Sequence, residues 1–182
     1  MRNKWISLFA AIGLAFALTS QASAAGPLEL GDRMAITANF SVSTINPDDL
    51  PETTVLTLST TVTKSTADAR WEYGGGFFLT AVLTDIADVT TFTPNATIRI
   101  NTDLLGPEEN ILAYVGFIAG VTFLDVDSDF GDFSDEVGSF GPKFGAEYYF
   151  SSNIAIQLED SVLIDTDSGV TNTLMLGAKL LF

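Results

Sequence analysis

After its first two dozen or so residues the chain alternates apolar and polar side chains with a period of two, the spacing of a β-strand whose faces meet different surroundings. Near Arg33–Thr44, Met34, Ile36, Ala38, Phe40 and Val42 share one face, and Ala35, Thr37, Asn39, Ser41 and Ser43 share the other. A second, less regular segment lies near Thr53–Thr63. A third, near Arg70–Thr84, sets Trp71, Tyr73, Phe77, Leu79, Ala81 and Leu83 against Glu72, Gly74, Gly76, Phe78 and Thr80. The pattern returns near Thr91–Thr102, where Pro94 is a mild interruption because proline brings no ladder donor. It continues near Ile111–Leu124, Phe140–Phe150, Asn153–Ile164 and Thr171–Phe182.

These eight segments run to roughly a dozen residues each, against ~5–6 for a strand of a soluble protein. A tilted strand that crosses a bilayer needs ~9–11. The apolar faces carry aromatics near their ends: Trp71, Tyr73, Phe92, Phe123, Phe140, Tyr148, Phe150 and Phe182. The opposite faces carry Glu72, Arg99, Lys143, Glu147, Glu159 and Lys179, too many charges for a dry soluble core. The pattern therefore predicts an all-β, eight-stranded antiparallel transmembrane up-and-down β-barrel, with its apolar faces toward lipid and aromatic girdles at both interfaces. A soluble lipocalin-like binding barrel would keep the apolar faces inside.

The start of the chain reads differently. Arg2 and Lys4 precede an apolar run from Ile6 to Leu18, and Ala22-Ser23-Ala24 supplies a small-x-small cleavage pattern. Residues 1–24 are thus expected to be a cleavable signal peptide, its apolar run too short to span a bilayer as a helix. Residues 25–182 form the expected barrel domain. Six basic residues against 23 acidic ones leave that part at a formal −17, which excludes nucleic acid as a partner because phosphate contacts need Lys and Arg. There is no cysteine, hence no disulfide framework, and no histidine, which removes the Ser-His and Asp-His enzymes from consideration. No enzymatic role is expected, and no cofactor beyond the ion discussed next.

Two further features stand out. Asp125, Asp127, Asp129 and Glu136 occupy places 1, 3, 5 and 12 of a calcium-loop pattern within the expected outer loop Asp125–Ser139. Phe130 sits where the pattern requires glycine, so a solvated acidic loop is the plainer expectation; the same carboxylates could bridge through divalent ions to lipopolysaccharide phosphates. On the inward parity, Glu72, Arg99, Lys143, Glu147, Glu159 and Lys179 should form a lumen ion-pair network, with Lys179 beside Glu147 and Glu159. The inward glycines, Gly74, Gly76, Gly116, Gly120, Gly141, Gly145 and Gly177, are expected to leave some room beside it.

The hairpin Phe144–Glu159 and the alternation Leu174-Leu176-Ala178-Leu180-Phe182 resemble the last hairpins of small outer-membrane barrels, the families of the OmpA membrane domain, OmpX and OmpW. The resemblance implies that Leu174, Leu176, Ala178, Leu180 and Phe182 are an assembly signal for the barrel insertion machinery. It also implies an outer-membrane location with both termini periplasmic, and contact with outer-membrane lipid and lipopolysaccharide. A structural or surface-interaction role is expected; a narrow channel or conduit for small or apolar solutes is the alternative, as the OmpW likeness allows.

Overall fold

The computed structural model describes residues 28–45, 53–84, 87–128, 133–167 and 169–182; the expected signal peptide lies outside them. Eight strands follow one another: β1 (Met34–Ile45), β2 (Thr53–Ser65), β3 (Trp71–Leu83), β4 (Ala87–Asn101), β5 (Ile111–Ser128), β6 (Phe133–Ser151), β7 (Ile154–Asp165) and β8 (Val170–Leu181). Each pairs antiparallel with the next, and β8 pairs with β1 to close the barrel. The seam is completed by two backbone bonds, Met34 N to Phe182 O (3.1 Å) and Phe182 N to Met34 O (3.0 Å).

The register sets the tilt. Following paired residues from Ala146 through Leu158, Leu176, Phe40, Leu58, Leu79, Phe92 and Phe123 returns to β6 at Glu136, ten residues from the start. Such a stagger requires strands inclined by about 40° to the barrel axis.

Parity divides the residues as the alternation predicts. Phe40, Tyr73, Phe117, Phe144, Leu158, Leu174 and Leu176 stand on the outer wall with about half their surface open, whereas Glu72, Arg99, Lys143, Glu147, Glu159 and Lys179 are buried inside. A charged interior under an apolar exterior is the inverse of a soluble barrel, so the lipocalin-like alternative fails. In water this wall would be a very large exposed apolar patch; in a bilayer it is solvated by acyl chains.

One expectation about the ends changes. The outer loop Asp125–Ser139 is mostly strand: β5 and β6 stay paired out to Val126 and Phe133, so only residues 129–132 separate them. Alternating Asp, Ser and Gly in this stretch hid the continuation, because its outward face has left the apolar band. Conversely, the β4–β5 connection is the longest described, tied by a Leu105–Ile111 bridge, while two residues, Ser152 and Asn153, join β6 to β7. Connection length therefore does not by itself orient the barrel. Pro94 is accommodated: it faces Phe77 on β3, and the ladder to β5 skips Thr93 and Pro94.

A prediction follows from the outer wall. The folded protein should remain with the membrane pellet after carbonate and urea washes and leave it only with detergent; release by urea alone would contradict a lipid-facing wall.

Candidate functional site: the charged lumen

Six ionisable side chains, three acidic and three basic, occupy the middle of the lumen. Register brings some together directly. Glu72 and Arg99 are partners on β3 and β4, and Glu147 and Gln157 are partners on β6 and β7. Other contacts cross the barrel. The Arg99 guanidinium forks between Glu72 (2.7 Å) and Glu147 (2.6 Å). Lys179 Nζ, from β8, lies 2.7 Å from Glu72 and 3.2 Å from Glu147. A second group joins Lys143 to Glu159 (3.0 Å), with Tyr114 Oη donating to Glu159 at 2.7 Å and Gln157 Nε2 at 3.1 Å. Thr63 Oγ1 donates to Glu72 and Tyr149 Oη to Glu147, each at 2.5 Å. Arg99 also lies over the Tyr114 ring, 4.1 Å from its centroid, a cation–π contact in a desolvated setting.

All six predicted lumen residues therefore meet, but one partnership differs from expectation. Lys179 bonds Glu72 and Glu147, not Glu159, which is held by Lys143. Glu159 lies on the neighbouring strand β7, but a long side chain in a narrow barrel reaches across the lumen to β3 and β6. Tyr114 and Tyr149 were missed as network members. Their signal was parity: both are aromatic residues on the inward face, where a membrane girdle has no use for them.

Apolar layers close the network at both ends. Toward the chain termini lie Leu30, Ala35, Leu112, Tyr114, Tyr149, Ala155 and Leu181. On the other side, further along β3 and β5 and earlier in β8, lie Phe78, Ile118 and Met175, backed by Leu163. Beyond them is a hydroxyl chain: Thr93–Thr122 (2.9 Å), Thr122–Ser139 (2.8 Å) and Ser139–Asp165 (2.6 Å). The void left within the network is about 10 Å³, room for about one water. At two of the inward glycines the expected room is taken. A Cβ on Gly145 would strike the Tyr114 hydroxyl, and one on Gly177 would strike the Asn39 amide. Their missing side chains are already filled by neighbours.

Of the calcium-loop residues, two can be placed. Asp125 and Glu136 are exposed on paired strands, with Asp125 opposite Ser134 and Glu136 opposite Phe123. The placement of Asp129 and of the Asp127 side chain lies outside the described residues. Among the described residues no group of three or more acidic ligands converges. Of the assembly-signal residues, Leu174, Leu176 and Phe182 are exposed on the outer wall at the closing seam, with Ala178 and Leu180 between them on the same face.

The fold is that of small eight-stranded outer-membrane barrels. The attachment invasion locus protein Ail of Yersinia pestis aligns with a TM-score of 0.53 at 17% identity, over 84% of this chain and 99% of that one. Neisserial surface protein A gives 0.57 at 14% identity, over 82% and 96%. The N-terminal β-barrel domain of Pseudomonas aeruginosa OprF gives 0.56 at 14% identity, over 84% and 99%. No protein-family model matches the chain, and no curated protein matches it by sequence. At such identities the likeness speaks to fold.

The network makes a stability prediction. Lys179→Ala leaves Glu72 and Glu147 sharing Arg99 alone, and breaking a buried pair typically costs ~3–5 kcal/mol. Urea unfolding in lipid vesicles should show a lowered midpoint, with Glu147→Gln in the same chain restoring part of it. An unchanged midpoint in the single variant would show that the cross-lumen pairs carry no weight.

Proposed function

We propose that this protein is a sealed, non-enzymatic barrel of the outer membrane, with both termini periplasmic, acting in envelope structure and surface interaction. The observation that carries this reading is the closed lumen: a neutral set of three acids and three bases, packed between two apolar layers. A conduit would need a continuous wet path, and a water-filled lumen would not leave Lys179 and Glu147 about 1% exposed. In planar bilayers the protein should give a flat baseline. Discrete, reproducible openings would favour the narrow-channel alternative.

Charge distribution supports a choice of surface partner. Of the basic residues after the expected signal peptide, Arg99, Lys143 and Lys179 are inside the lumen, while Arg33, Lys64 and Arg70 lie at the end carrying the β2–β3 turn and the β1 start. The opposite end, formed by the β1–β2, β3–β4, β5–β6 and β7–β8 connections and the strands leading to them, contains acids and no base. An all-acidic face repels polyanions at short range. It suits cationic partners, or divalent ions shared with lipopolysaccharide phosphates. Ail has been solved with the heparin analogue sucrose octasulfate; this chain should not bind that polyanion, and isothermal titration should read no heat above dilution. In lipopolysaccharide-containing vesicles, chelating divalent ions should lower its thermal midpoint, with little change in phospholipid alone.

The exposed alternation Leu174–Phe182 supports an assembly role at the seam. Insertion-machinery recognition is part of the proposed reading, and heat-modifiable folded barrel should fall when Phe182 is replaced by Asp.

A further inference from the structure

At the end of the barrel that carries the termini, the chain does not enter β1 straight. Asp32 lies in the left-handed region (φ 53°), which turns residues 28–31 back across the mouth. The turned segment is tied to the end of β2 and the turn after it. Asp32 N donates to Thr66 O (2.9 Å), Ser65 N to Arg33 O (2.9 Å), and Ser65 Oγ to Leu30 O (2.7 Å). Arg33 reaches the other way, its Nη1 donating to Ser152 O at 2.6 Å. Gly31 lies flat on the β2–β3 turn, where a Cβ would strike Ala67 O.

This strap delivers Leu30 into the lumen. The side chain is 8% exposed and packs with Ala35, Leu112, Tyr114, Tyr149, Ala155 and Leu181. Those six belong to β1, β5, β6, β7 and β8, whereas Leu30 belongs to no strand. The opposite layer, Phe78, Ile118 and Met175, is built wholly of strand residues. A strand residue leaves its layer only if ladder bonds break on both sides of it. A strap held by one buried leucine and a few hydrogen bonds opens at far lower cost. It also has room to move. It borders an open bowl of about 870 Å³, walled on its other sides by residues 67–70 and the β4–β5 connection.

We propose that residues 28–33 form a movable strap that closes one end of the lumen, with Leu30 as its stopper. Resting on the sealed-lumen reading, this device fixes where the seal gives way. Lifting the strap uncovers Ala155 and Tyr149. Behind them lie Glu147, which accepts from the Tyr149 hydroxyl, and Lys179, the cross-strand partner of Ala155. Those charges then meet water from this end. Phe78, Ile118 and Met175 still bar the other end, so no through path forms. The strap therefore controls hydration of the ion pairs and not conduction.

The chain has no cysteine, so single thiols report access to the lumen. Ala155→Cys places a thiol under the stopper and Met175→Cys places one in the opposite layer; both positions are 0% exposed. Each is made in the full-length mature protein, folded in detergent micelles, with the strap intact or unseated. Gly31→Val unseats it against Ala67, and Leu30→Ser removes the stopper. The probe is a charged, water-soluble thiosulfonate. With the strap intact both thiols should react slowly. In either strap variant Ala155→Cys should react about tenfold faster or more, since burial of one leucine holds the strap down. Met175→Cys should stay slow, and planar bilayers should stay flat. Heat-modifiability checks that each variant has folded. Ala35→Cys, in the same layer as Ala155, and deletion of residues 25–31 repeat the test independently. Equally slow labelling of Ala155→Cys with and without the strap would overturn the inference, because the strands alone would then seal this end. Faster labelling of Met175→Cys in the strap variants would overturn it too, because the whole barrel would have loosened. Fast labelling of Ala155→Cys with the strap intact would instead strike at the sealed-lumen reading itself.

Discussion

Hydrocarbon cannot hydrogen-bond a peptide group, and nearly every feature of this protein can be traced to that constraint. A sheet in a bilayer must close on itself, because an open edge would leave a row of unpaired N–H and C=O groups. Closure with eight strands and a stagger of ten residues fixes the tilt and leaves a lumen that side chains can fill. The Phe182–Met34 backbone bonds complete the circle. Once the backbone is satisfied in this way, each residue has a single remaining choice, lipid or lumen, made by whether its number is odd or even within its strand.

That choice explains why the interior is charged. A strand apolar on both faces would be hard to carry through water before insertion, so the face that does not meet lipid is polar. In so narrow a space those polar groups lose water and must satisfy one another. The result is a neutral cluster in which Arg99 spans Glu72 and Glu147, Lys179 repeats that bridge from the far wall, and Lys143 holds Glu159. Arginine suits the central place because its planar fork can bond two carboxylates at once. Such a cluster is not obviously more stable than well-packed apolar residues would be. Its effect is to plug the barrel and to bind strands β3, β4, β6 and β8 across the lumen, contacts that the nearest-neighbour ladder cannot make.

Strand number, parity and the six lumen charges were all legible in the sequence, because each follows from the period-two pattern alone. The partner choices within the lumen were not. Glu72 and Lys179 are 107 residues apart and on strands that do not pair, so their meeting depends on barrel diameter and side-chain length. The glycines misled for a related reason: an absent side chain reads as space until the neighbour that fills it, such as Tyr114 beside Gly145, is placed. The extension of β5 and β6 beyond Leu124 escaped notice because hydrophobic alternation ends where lipid ends, while strand pairing continues. Asp160 was present in the sequence as an even-numbered residue of the seventh segment. It was passed over because its neighbours Leu158 and Val162 carried the pattern without it.

Charge is therefore sorted into three environments by three different rules. In the lumen, acids and bases are matched because water is scarce. At the acidic end, carboxylates need no partner because solvent and mobile cations supply one, at the cost of mutual repulsion. On the lipid face neither remedy exists. Asp160 can draw on neither a lumen cation nor bulk water, and the seal formed by Phe78, Ile118 and Met175 separates no polar route toward it, since it points the other way. Its Oδ1 is covered by the chain's own atoms and has no hydrogen-bond partner among them. Among the described residues, charge is matched in the lumen or placed toward the rims, and Asp160 is the one carboxyl the outer wall carries between them.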